Sequence, residues 1–340
     1  MPGKFASEVK QDPKLACPII RLQYEADSPD RNVVVEIAPK LGSNLYKYQA
    51  GNNEIIFCDQ TLLKNRDWTG TFVLWPIPNR VRDKQYEFEG HVQSLRGIKR
   101  KRGNEPLIHG LVDDQAWQFS QPQAEETKAW AQTWIEITPD SHMYQYFPYQ
   151  SKLTLTYVLS QQGIRIEYAV VNKSDNNLPF GFALHPYFAT LSGPKHTLVT
   201  LPAEYVMEAD QELLPSGRLI PMGSGGYDLR QPTPVSQLKL DHVFTGLHAD
   251  ANAAIDYPAQ KLKIALKASN DFTHMVLYTL EADKGFICFE NQTGSTDMIN
   301  LHTKAQKEAN TELVKATHLL VLPPGRTHRG FIEYQLQHQA

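Results

Sequence analysis

Alternation with a period of two runs through much of this chain and confines it to folds made of strands. Leu153, Leu155, Tyr157 and Leu159 alternate with polar or smaller residues, Gln161-Gln162-Gly163 supplies a turn, and Ile164, Ile166, Tyr168 and Val170 resume the pattern. Successive side chains of a strand point to opposite faces, so this spacing predicts a β-hairpin. Shorter runs of the same kind stand at NVVVEIA, EIIFCD, TWIEITP, LKIALKA, HMVLYTL, FICFE and FIEYQL, separated by turns that use many of the 22 prolines and 20 glycines. Helical candidates are confined to EETKAWAQ and part of TKAQKEANTELVK, both polar enough to be surface connections. The expectation is an all-β architecture.

Of the 340 residues, 41% are hydrophobic and 21% charged, enough to bury a sizeable core, and all-β chains of this size occur as one unit. A formal net charge of -3 gives no electrostatic reason to approach nucleic acid or an anionic membrane, so a small or neutral ligand fits better. The first residues, MPGKFASEVKQDPKLACP, hold no apolar run of signal-peptide length, and no segment reaches the length of a membrane span, which predicts a cytoplasmic protein. Cys17, Cys58 and Cys288 are odd in number and match no zinc-site spacing, so reduced thiols and no metal are expected. Neither a GxGxxG nor a GxxxxGK[ST] phosphate loop occurs, which argues against a nucleotide cofactor.

The stretch GFALHPYF sets His185 between apolar residues with Pro186 directly behind it. A proline cannot continue a central ladder, so His185 is expected at a strand end, where side chains meet ligands. Arg80 follows the prolines of WPIPNRV, His109 stands beside Gly110 in EPLIHG, Asp241 opens DHVFTG, and Glu290 ends FICFE just before a turn. Taken singly, each has an ordinary structural account: a core histidine, a surface cation, a turn residue, a cap and a solvated strand end.

Taken together and in order, these segments resemble the aldose 1-epimerase (galactose mutarotase-like) family. The resemblance runs from KLGSNLYKYQAGNNEIIF through NRV...YEFEG, LIHG, NNLPFGFALHPYF, LDHVFTG and ICFENQTGSTDMIN to LPPGRTHRGFIEYQL. It implies one large antiparallel β-sandwich over residues 1–340 with a few short surface helices, and a cofactor-free isomerase acting on a sugar. It further implies Glu290 as the base that takes the anomeric hydroxyl proton and His185 as the acid that protonates the ring oxygen. His109 would sit near that oxygen, while Arg80 and Asp241 would grip sugar hydroxyls. Independently, alternation in FICFE sends Phe286, Cys288 and Glu290 to one face, where desolvation would raise the basicity of Glu290.

One segment departs from the family pattern. Arg96, Lys99, Arg100, Lys101 and Arg102 form a basic run shortly before His109, either a solvated cationic loop or the phosphate site of a hexose-6-phosphate mutarotase. A carbohydrate-binding module that has lost catalysis is the remaining alternative. Trp75, Trp117 and Tyr187 are candidates either for stacking on a sugar or for the core.

Overall fold

The hairpin expected around residues 153–170 is present as Ser151–Ser160 paired with Gly163–Asn172, every second residue of the first strand being buried. The computed structural model describes residues 3–98, 108–224, 228–248 and 252–339. Its two principal sheets have ten and seven strands, and every strand ladder among the described residues is antiparallel. The larger sheet is centred on the hairpin, with Thr327–His338 and Leu262–Ala268 following in order. A five-stranded sheet, Lys4–Asp12 to Asn53–Glu54, precedes both in the chain.

The seven-stranded sheet positions the site. Its order is Pro215–Pro221, Ala203–Ala209, Asp241–Leu247, His274–Tyr278, Phe286–Gln292, Ala183–Ala189 and Thr71–Leu74. Phe286–Gln292 is buried along its whole length, as a strand covered on both faces must be. One face packs towards the larger sheet, where Phe188 meets Tyr334 with ring centroids 5.2 Å apart and Tyr257 donates to the Ala189 carbonyl. A single core cluster joins Phe188, Ile287 and Phe289 to Ile166, Ile332 and Tyr334 of the larger sheet.

Two sequence assignments differ from the fold. EETKAWAQ is no helix: Glu125 N donates to the Lys128 carbonyl in a tight turn, and the strand Ala129–Ile137 begins directly after it. Ala129, Ala131, Thr133, Ile135 and Ile137 all face inward, so the alternation read in TWIEITP begins earlier and overrides helical propensity. EIIFCD forms only Asn53–Glu54 and an isolated bridge at Ile56, because Ile55 and Ile56 are both buried and Asp59 then caps the helix Gln60–Lys64. TKAQKEANTELVK contributes to two helices, Met298–Lys307 and Thr311–Thr317, broken where Ala309 is left-handed and Asn310 caps the second. Among the described residues no helix is long and apolar enough to cross a membrane.

Candidate active site

Ala183–Ala189 and Phe286–Gln292 run side by side with Ala183 opposite Gln292 and Tyr187 opposite Cys288. That register sets His185 opposite Glu290, and His185 Nε2 lies 3.1 Å from Glu290 Oε1. The two groups touch, because directly opposed residues of an antiparallel pair have Cβ atoms about 5 Å apart. One expectation is corrected here. His185 lies inside its strand: the ladder to Phe286–Gln292 skips from Ala183 to Tyr187, while on the other edge His185 and Pro186 pair with Phe72 and Thr71. Pro186 thus opens the ladder on one side only, beside the His185–Glu290 contact.

Burial and neighbours set the electrostatics. His185 is 8% exposed and Glu290 2%. The Phe72 ring stacks on His185 at 4.5 Å, Tyr187 lies at 5.2 Å, and His109 meets it edge-on at 5.0 Å. Burial depresses the imidazole to about 3. It also holds Glu290 well above the ordinary carboxylate range; Asp241 adds to the rise, while a hydrogen bond from Gln292 Nε2 at 3.2 Å and the charge of Arg80 oppose it. Both shifts disfavour the charged forms, and so favour the arrangement in which a neutral imidazole meets the Glu290 proton at Nε2. The imidazole of that arrangement is neutral, unlike the protonated histidine expected of a standing acid.

The other candidates converge on the same sheet face. Asp241 is paired with Tyr278 and Tyr278 with Cys288, so alternation places Asp241 on the face that carries Glu290. Arg80 Nη2 is 4.0 Å from Asp241 Oδ2, and its Nη1 donates to Asn79 Oδ1. His109 N donates to the Asn79 carbonyl, tying the Arg80 and His109 segments together, and both Asn79 and His109 have positive φ, a conformation costly for non-glycine residues. Gly110 must be glycine: a Cβ there would lie 2.4 Å from the Trp75 carbonyl oxygen. The structure thus gathers Arg80, His109, His185, Asp241 and Glu290 from five distant segments into one neighbourhood.

Beside them lies a cavity of about 220 Å³. It is floored by Val276, the register partner of Glu290, and Val243; Asn79, Arg80 and Asp241 edge it, and Met207 and Leu213 face them. Neither His185 nor Glu290 lines it. Of the aromatic candidates, Trp75 and Trp117 are fully buried in the core, and Tyr187 alone flanks the pair. Arg96 is exposed, its guanidinium directed at the Asp83 carbonyl, and residues 99–102 of the basic run lie outside the described residues. Among the described residues no cluster of three or more potential ligands could hold a metal.

A profile of the aldose 1-epimerase family matches residues 25–334. The chain belongs to the aldose 1-epimerase family. Its fold is that of a galactose mutarotase-like protein from Clostridium acetobutylicum, with a TM-score of 0.84 at 19% identity over 99% of both chains. Galactose 1-epimerase from Lactobacillus acidophilus gives 0.74 at 17% identity, over 99% of this chain and 100% of its own. The maltose epimerase of Levilactobacillus brevis is 24% identical over 163 residues, 47% of this chain and 46% of the relative, so the match spans about half of each.

Three contributors to this candidate site escape a reading of single motifs. Gln292 stands two residues after Glu290 on the same strand face, a relation that alternation alone could have found. Phe72 and Trp68 build the apolar surround, Trp68 meeting His109 edge-on at 5.1 Å, yet nothing in their local sequence separates them from core residues.

Proposed function

We propose that this protein is a mutarotase that interconverts the α and β anomers of a neutral aldose by acid/base ring opening and reclosure. The observation that carries the reading is the buried 3.1 Å contact of His185 with Glu290, an acid/base couple with one proton to exchange. The productive form has that proton on His185 and a carboxylate on Glu290, and a sugar hydroxyl donating to the carboxylate favours it. Glu290 then takes the O1 proton while His185 gives its proton to the ring oxygen. The O1–H electrons form the aldehyde C=O, and the C1–O5 electrons pass to the ring oxygen. Rotation about C1–C2 and attack by O5 on the opposite carbonyl face close the other anomer, with the two residues in exchanged roles.

A neutral substrate suits the charges at the cavity. Arg80 faces Asp241 there, and the Glu208 carboxylate is paired with Arg218, a balance with no surplus positive charge that favours hydroxyl groups over a phosphate dianion. A binding module would have no use for two opposed buried ionisable groups, whose desolvation is costly. The test is polarimetry on freshly dissolved single anomers of glucose, galactose and maltose. Acceleration above the spontaneous rate is expected for at least one, and acceleration of none would leave the binding-module reading in its place.

A further inference from the structure

Arg80 has few anchors of its own, its side chain meeting only Asn79 and Asp241 among described contacts. Its main chain is held from elsewhere. Asp297, Asn300 and Thr303 recur every three residues at the start of the helix Met298–Lys307, which places them on one helical face. Each grips the segment that carries Arg80. Asp297 N donates to the Arg80 carbonyl at 3.1 Å, and Arg82 N donates back to Asp297 Oδ1 at 3.1 Å, fixing the backbone on both sides of Val81. Asn300 Nδ2 donates to Asp297 Oδ1 at 2.8 Å and to the Gln85 carbonyl at 2.9 Å, while its Oδ1 accepts from Glu87 N. Thr303 Oγ1 donates to the Glu87 carbonyl. Asp297 is 4% exposed and left-handed with φ 55°, a conformation that aspartate and asparagine tolerate better than most residues.

We propose that Asp297 is a positioning residue for Arg80, and that the Asp297–Asn300 pair sets where this guanidinium meets the sugar. The proposal rests on the reading that Arg80 binds substrate. Glycine accepts positive φ freely, so Asp297→Gly removes the acceptor without adding backbone strain, whereas Asp297→Asn keeps an acceptor. In Asp297→Gly the KM should rise about tenfold with kcat within about threefold, as expected for loss of a uniform binding contact. Asp297→Asn should stay within about twofold of the wild type in both, since its amide oxygen replaces the carboxylate acceptor. In an Arg80→Ala background Asp297→Gly should add nothing to KM, because a residue acting through Arg80 cannot act without it.

Hydrogen exchange gives a readout independent of turnover: the Arg82 amide should exchange at least about tenfold faster in Asp297→Gly. A lower melting temperature with KM and exchange unchanged would make Asp297 a purely structural cap and overturn the proposal, as would an additive effect with Arg80→Ala. If no aldose is turned over, the mutarotase reading falls by itself, and an unchanged Arg82 exchange rate separately refutes the clamp. Should Asp297→Gly not fold, Asn300→Ala, which removes the donor to Asp297, is read by the same two measurements and the same criteria.

Discussion

Replacing Glu290 by glutamine removes one exchangeable proton and little else. The amide keeps the volume of a side chain that is 2% exposed, can donate to His185 Nε2 where the pair now meets at 3.1 Å, and can still accept from Gln292 Nε2. The fold should survive, and so should sugar binding, which is proposed to rest on Arg80 and Asp241. Turnover should fall about 100- to 10,000-fold, the usual cost of a lost general base, or about 3 to 5 kcal/mol of barrier. Polarimetry on a fresh anomer, with the spontaneous rate subtracted, reads this directly. The same variant also tests the shared proton. Glu290 is raised in the folded protein, so its contribution to stability is complete below the unfolded pKa and is lost as pH rises towards the folded one. Above the range where the unfolded glutamate ionises, and for as long as folded Glu290 holds its proton, the folded chain carries that one extra proton. Wild-type stability should therefore fall relative to Glu290→Gln by up to about 1.4 kcal/mol per pH unit. Denaturant melts at pH 6.5 and 8 measure the difference. A Glu290→Gln protein that turns over at the wild-type rate on every aldose the wild type accelerates would refute the base assignment; parallel stability curves would refute the shared proton.

His185→Asn should lower turnover about 100-fold with sugar affinity retained, checked by the same polarimetry alongside calorimetric titration. Arg80→Ala and Asp241→Asn should each raise KM about tenfold, as lost uniform binding contacts do. Because Asp241 raises Glu290 and Arg80 lowers it, the activity limb governed by Glu290 should move to lower pH in Asp241→Asn and to higher pH in Arg80→Ala. PH–rate profiles of the two variants settle the sign. Glucose 6-phosphate should be turned over no better than glucose, and Arg96→Ala should change neither; a phosphate preference that disappears in high salt would instead favour a phosphosugar substrate.

Much of the fold was legible because alternation survives wherever one strand face is buried, as in Ser151–Ser160. It failed at EIIFCD, where adjacent isoleucines are both buried, and at EETKAWAQ, where alanines looked helical but faced inward from a strand. The candidate site residues were named from the ordered family motifs, which carry nothing of their geometry. No motif states that Ala183–Ala189 and Phe286–Gln292 are neighbours, so the contact of His185 with Glu290 and the neutral resting imidazole depend on a pairing between segments far apart in sequence. The proline after His185 suggested a strand end, whereas strand pairing on the opposite edge carries the strand through it. Likewise the grip of Asp297 on the Arg80 segment is a tertiary hydrogen-bond set that local sequence cannot announce.

Ring opening at C1 breaks no carbon–hydrogen bond, and this gives the most direct test of the account. The wild-type protein is mixed with an equilibrated aldose in D₂O, and magnetisation exchange between the α and β anomeric protons is followed by NMR. Exchange should be faster than in buffer, be lost in Glu290→Gln, and leave the protons on C1 and C2 in place. No acceleration for any aldose tested, or deuterium appearing on C2, would contradict it.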